Sequence, residues 1–142
     1  MDAVLALALA PKLADVLNLE VEEAVEILTD TDSGDTFNIG RAEYVLYSDA
    51  DADAACRDSI LDSLAYFRPE FLDAHADIGA DAIQAMQTQE DHAVIKRLLE
   101  SLGVLEDVIN DAISSDGRGH FLAGYDFEEI DLSSQWFIYR TN

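Results

Sequence analysis

TFNIGRAEYVLYS, residues 36–48, decides the fold class. Two short runs, 36–39 and 43–48, flank Gly40-Arg41, and the second is aromatic and β-branched, as half-buried strands prefer. The stretch therefore predicts a β-hairpin in a chain whose other segments follow helical periodicity. Downstream, residues 51–67 carry Cys56, Ile60, Leu64 and Phe67 at helical spacing. Pro69 ends that helix and opens a short one through His75, and 81–86 is a weaker helix. EDHAVIKRLLESLG places Val94, Ile95, Leu98, Leu99 and Leu102 inward, with Gly103 as the stop. VLEDVINDAIS places Leu105, Val108, Ile109 and Ala112 inward, and QWFIYR, 135–140, is a last strand. Upstream, Pro11 interrupts an Ala/Leu run and Asn18 caps a second helix through Leu28. The expectation is one helix-rich α+β domain over 1–142, with a small antiparallel sheet made of the hairpin and the strand at 135–140. Residues 1–35 form a helical N-terminal segment and 36–142 the main module.

Charge bounds the function. Thirty acidic side chains against eight basic ones give 142 residues a net charge of −22 and a pI near 4.1. The excess is not a tail, because residues 1–71 hold 16 acids and 4 bases, and 72–142 hold 14 and 4. Such a body repels nucleic acid and anionic membranes and attracts basic partners. KLADVLNLEVEEAVEIL has the cadence of a DNA-reading helix pair, but Lys12 is its only cation, so direct nucleic-acid binding is not expected. Twenty-two charges match those on about 37 Å of duplex, roughly one helical turn, so the chain can stand in for DNA. Many Asp, two Lys and twenty Ala also fit a halophilic solvation shell or a high-GC genome. Cys56 is alone, which excludes an internal disulfide, and AVLALALA (3–10) is too short to span a membrane; a cytoplasmic place in a host cell follows.

Metal and cofactor sites are not expected. DADAD (Asp49, Asp51, Asp53) starts like a calcium-binding loop, but Ala54 and Ile60 stand where the loop needs glycine and glutamate. DTDSG from Asp30 fails likewise, with Arg41 at the last ligand position, and carboxylates at a helix start are explained by its dipole. His75, His92 and His120 lack the paired spacing of a zinc site. Cys56 belongs to the inward stripe and packs in the core.

Two candidate sites remain. At 100° per residue Asp51, Asp58 and Asp62 lie within about 40° of one line and span roughly 16 Å, opposite the apolar stripe. Glu106, Asp107 and Asp111 occupy the outer side of the later helix. These six carboxylates form the candidate partner-binding face. The alternative is the loop SDGRGHFLAGYDFEE (115–129), where His120 with Asp126, Glu128 or Glu129 has the makings of an acid–base pair and Arg118 a ligand-binding or pinning role. No nucleophile, metal cluster or oxyanion device accompanies them, and the glycines follow a helix end instead of opening a phosphate loop.

GRAEYVLYSDADADAACRDSILDSLAYFRPEFLDAH, followed by SDGRGHFLAGYDFEEIDL and FIYRTN, resembles a family of small uncharacterised phage and mobile-element proteins over about residues 37–142. The specific portion is DGRGHFL, YD, EE and the closing YRTN. Phe127 stands where the family pattern has glycine, which removes the residue that a tight turn at 126–127 favours. Ala65 and Tyr66 replace a common tryptophan. The resemblance implies no catalytic residue. It implies an accessory protein of a phage or mobile element. With the charge, that favours a non-catalytic DNA mimic that inhibits a basic, nucleic-acid-handling host defence complex, of the anti-CRISPR or antirestriction type. A small enzyme or ligand-binding protein centred on Arg118, His120 and Asp126 is the alternative.

Overall fold

A computed structural model describes residues 1–142. The fold is helix-rich α+β with one four-stranded antiparallel sheet. The chain divides into two compact units, one formed by Met1–Ala55 with Arg118–Asn142 and the other by Cys56–Gly117.

The first unit begins with helices α1 (Ala3–Leu17) and α2 (Val21–Thr29). Asp2 starts α1, its side chain accepting from the Leu5 N–H at 2.9 Å. Two expectations change here. Pro11 lies inside α1 without ending it, on an exposed face beside exposed Leu7, where water can hydrate the carbonyl that proline leaves without a donor. Asn18 closes α1 instead of opening α2: it takes the left-handed conformation (φ 57°) that asparagine tolerates, and its N–H donates to the Ala14 carbonyl.

The hairpin forms where expected, as β1 (Thr36–Ile39) and β2 (Ala42–Ser48) around Gly40 at φ 60°. β3 (Ile130–Ser133) and β4 (Trp136–Arg140) complete the sheet in the order β1-β2-β4-β3. β3 is additional to the expected strands. It is a short edge strand with a pairing irregularity between Asp131 and Ser133, and only Ile130 and Leu132 mark it in the sequence. Both sheet faces are covered, which is why YVLY and WFIY are continuous apolar runs. Tyr44, Leu46, Leu132 and Ile138 pack with Leu9, Leu13 and Leu28 of the N-terminal helices. Val45, Phe137 and Tyr139 pack on the other side with Ala52 and Ala123. The N-terminal helices thus share a core with the sheet, and residue 35 marks no structural boundary.

Helix α3 (Asp49–Leu61) starts two residues earlier than the periodicity indicates, because the Ser48 hydroxyl accepts the Asp51 N–H at 3.2 Å. It also ends earlier. Ser63 bonds back to the Ser59 carbonyl at 2.6 Å, and a 3-10 turn (Leu64–Tyr66) follows. The second unit continues with α4 (Pro69–Ala76), α5 (Ala80–Gln87), α6 (His92–Ser101) and α7 (Leu105–Asp116). Its buried residues include Cys56, Ile60, Leu64, Leu72, Ile95, Leu99, Val108 and Ile109. Leu102, expected inward, is exposed just before Gly103 turns the chain at φ 72°. Buried Gln87 is satisfied, donating to the carbonyls of Leu64 (3.2 Å) and Phe67 (2.6 Å). The chain then returns to the first unit through a short helix, α8 (Arg118–Leu122), in what the sequence indicates as a loop. No helix is long and apolar enough to cross a membrane.

Candidate functional site

The stretch 115–129 forms a connected set of contacts. Gly117 ends α7 at φ 81°, its N–H donating to the Ile113 carbonyl at 2.8 Å. Arg118 then turns its largely buried guanidinium onto three carboxylates. Nε and Nη2 grip Glu129 at 2.7 and 3.1 Å, and Nη1 reaches Asp49 at 2.9 Å and Asp53 at 3.0 Å. The fork on Glu129 is the planar two-point geometry that arginine supplies and lysine does not. The guanidinium also lies 4.6 Å from the Phe137 ring centre, and the Tyr139 hydroxyl donates to Glu129 at 2.6 Å. Hydrogen bonding to Glu129, above all, then to Asp49, raises the pKa of Arg118 further above its already high value, against the opposing effect of burial.

Asp49 and Asp53 thereby acquire a purpose that their spacing only half reveals. Four residues apart at the start of α3, they present carboxylates on one helix face to a single cation. Asp51, between them, carries no ion pair and is exposed. No cluster of three or more His, Cys, Asp or Glu has an arrangement able to hold a metal ion.

Gly119 answers a close approach. A Cβ there would lie 2.4 Å from the Phe127 carbonyl oxygen and 2.8 Å from the Glu129 nitrogen, so the backbone of 127–129 lies directly against α8. The tight turn at 126–127 forms although glycine is absent. Phe127 itself adopts φ 60°, and its N–H donates to the Ala123 carbonyl at 2.8 Å. For a bulky residue that conformation costs about 1–2 kcal/mol. Asp126 accepts the Glu128 N–H at 3.1 Å, and the exposed His120 ring stacks on Phe127 with centres 5.6 Å apart. Arg118, His120 and Asp126 are therefore engaged in three different local contacts: Arg118 with Glu129, His120 with Phe127, and Asp126 with Glu128.

The six carboxylates of the acidic face divide into free and engaged groups. Asp51 belongs to the first compact unit and the other five to the second. Asp58 and Asp62 are exposed and make no salt bridge, although Arg57 adjoins Asp58 in the chain and feels its charge; Asp62 lies just past α3, its N–H still donating to the Asp58 carbonyl. With Leu61, His92, Ala93 and Lys96 they line a groove of about 320 Å³. His92 accepts the Ala65 N–H at Nδ1 (3.0 Å), which leaves the proton of the neutral ring on Nε2, and Tyr66 meets the ring edge-on at 5.0 Å. Lys96 pairs with Glu100 at 3.7 Å. Asp107 is exposed and unpaired. Glu106 is not free: Arg57 holds it at 2.6 Å, and that hydrogen bond keeps its carboxyl below the ordinary range. Asp111 receives His75 at 2.8 Å and the Ser115 hydroxyl at 3.0 Å, and the histidine contact, chiefly, depresses its pKa.

No protein-family model, curated protein or solved structure matches this chain.

Proposed function

We propose that this chain is a non-catalytic acidic accessory protein that occupies the nucleic-acid-binding surface of a basic partner, as a DNA duplex would. A host defence complex of the CRISPR or restriction type is the partner class that its charge and its phage-type resemblance favour. The observation that carries this reading is the distribution of uncompensated charge. The two compact units hold 17 acids against 4 bases and 13 against 4. Several of those few cations are bound to the chain's own carboxylates, as Arg118, Arg57 and Lys96 are. Asp51, Asp58, Asp62 and Asp107 remain exposed, outside any salt bridge, and available to a basic surface. Electrostatic complementarity of this kind speeds encounter and selects partners by charge.

Affinity capture from a host-cell lysate, with and without excess duplex DNA, tests the reading. A basic nucleic-acid-binding protein retained on the bait and released by DNA is the expected result. Asp51→Lys, Asp58→Lys and Asp62→Lys together should abolish retention while leaving the circular dichroism spectrum unchanged. Undiminished retention by the triple variant, or partners indifferent to DNA, refutes it.

A further inference from the structure

We infer that the turn at 125–128 is an anchor for an arginine side chain of a basic partner protein, with the Phe127 ring as its platform. The inference rests on the function proposed above and names the contact by which a partner is held.

Phe127 occupies a backbone conformation that glycine adopts freely and a bulky residue does not. Interior packing does not explain the choice. The residue is 58% exposed, and its ring contact is the stack with His120, itself exposed. An aromatic ring held outward at an unfavourable φ, and backed by a second ring, is a surface prepared for a ligand. The chemistry of that ligand follows from the surroundings. Asp126 and Glu128 precede and follow Phe127 in the chain, both exposed and outside any salt bridge. Within the same turn Tyr125, also 58% exposed, already carries a guanidinium, that of Arg140, with Cζ 3.6 Å from the ring centre. An exposed aromatic ring with an acidic residue on either side in the chain, on a protein of charge −22, complements a cation. A flat, weakly hydrated guanidinium stacks on such a face better than a compact, strongly hydrated ammonium. Broad acidic faces draw a basic partner in, whereas a few aromatic and arginine contacts commonly dominate the affinity of an interface.

Oligoarginine and oligolysine peptides of equal length, titrated into the protein by fluorescence anisotropy, separate the two contributions. The wild type should prefer oligoarginine by about 2–5-fold, the range of one exposed cation–π contact. Phe127→Gly, which relieves the backbone and keeps the fold, should erase the preference and leave oligolysine affinity unchanged; Phe127→Trp should retain it. Equal binding of the two peptides by the wild type, or a preference that survives Phe127→Gly, overturns the anchor. In that outcome, oligolysine binding that still disappears on charge reversal at Asp51, Asp58 and Asp62 leaves the proposed function standing. Failure of the wild type to bind either peptide counts against both.

Discussion

Replacing Arg118 by methionine isolates the charge at the centre of the 115–129 stretch. Methionine keeps a flexible apolar contact with Phe137 and removes the guanidinium. Four charge-assisted contacts of 2.7–3.1 Å disappear. Each is worth about 1.5–3 kcal/mol taken alone, but the sum overstates the loss because water re-solvates the acceptors. Glu129, Asp49 and Asp53 are 31%, 44% and 62% exposed, against 12% for Arg118. Water does not remove the mutual repulsion of three carboxylates left around one site. Breaking a fully buried pair costs about 3–5 kcal/mol, and exposure of the acidic partners lowers that here to about 2–3 kcal/mol. Trp136, the single tryptophan, stands on β4 in the same unit, so urea unfolding followed by its fluorescence reports the change. Adding Glu129→Gln to the methionine variant should restore about 1 kcal/mol by removing one uncompensated charge. A loss below about 0.5 kcal/mol, the range of ordinary surface substitutions, refutes the assignment, as does a further loss on adding Glu129→Gln.

Gly119→Ala should destabilise the first unit by about 1–3 kcal/mol in the same assay, since the new Cβ meets backbone that cannot rotate away. Phe127→Gly should leave stability within about 1 kcal/mol of wild type and not lower it, the relieved strain outweighing the entropy of the added glycine; a larger loss would show that the ring holds the turn. The folded-state pKa of Glu106 is depressed by Arg57, so the stability it contributes is full above the unfolded value of 4.5 and is lost as pH falls through the lower folded value. Arg57→Met should flatten that acid limb of a Tm-against-pH curve, and an unaltered limb would contradict the pairing. Screening shortens from about 10 Å at 0.1 M salt to about 3 Å at 1 M, so this self-repelling body should fold in dilute buffer and KCl should raise its Tm. Folding only in molar KCl would instead assign the carboxylates to halophilic solvation and remove support from the proposed function.

What the sequence discloses, and what it conceals, follows from the range of the interactions. The hairpin is legible almost to the residue, because Gly40-Arg41 and the aromatic, β-branched run that follows are local signals. All four inward positions expected of α7 are buried, since one amphipathic helix carries its own register. Asn18 misleads because the same side chain suits both a helix start and a left-handed helix end, and only the chain direction after Leu17 distinguishes them. β3 escapes because a four-residue edge strand with one irregular pairing leaves almost no periodicity to detect. The acidic positions are easily seen, but their neutralisation is not. Arg57 is 49 residues from Glu106, and Arg118 is 69 and 65 residues from Asp49 and Asp53. A cation flanked by glycines at one end and two acids four apart on a helix at the other are the traces that this contact leaves.

The placement of those traces explains why a stretch that looks like an active-site loop is built as it is. The chain leaves the first unit within α3 and re-enters it at Arg118, and the Arg118 side chain meets Asp49, Asp53, Glu129 and Phe137, all in that unit, on residues before the departure or after the return. Gly119 then lets residues 127–129 lie against α8, which brings Glu129 to both Arg118 and Tyr139. An arginine committed to three carboxylates is poorly suited to bind a substrate anion, and its donors are directed inward. What the construction delivers to the surface is the turn beyond it, where Tyr125, Phe127 and their neighbouring acids stand exposed next to a base tied by ion pairs and close backbone packing. A tied base and an exposed tip suit the anchor proposed above, because a ring held in place loses little freedom when a guanidinium settles on it.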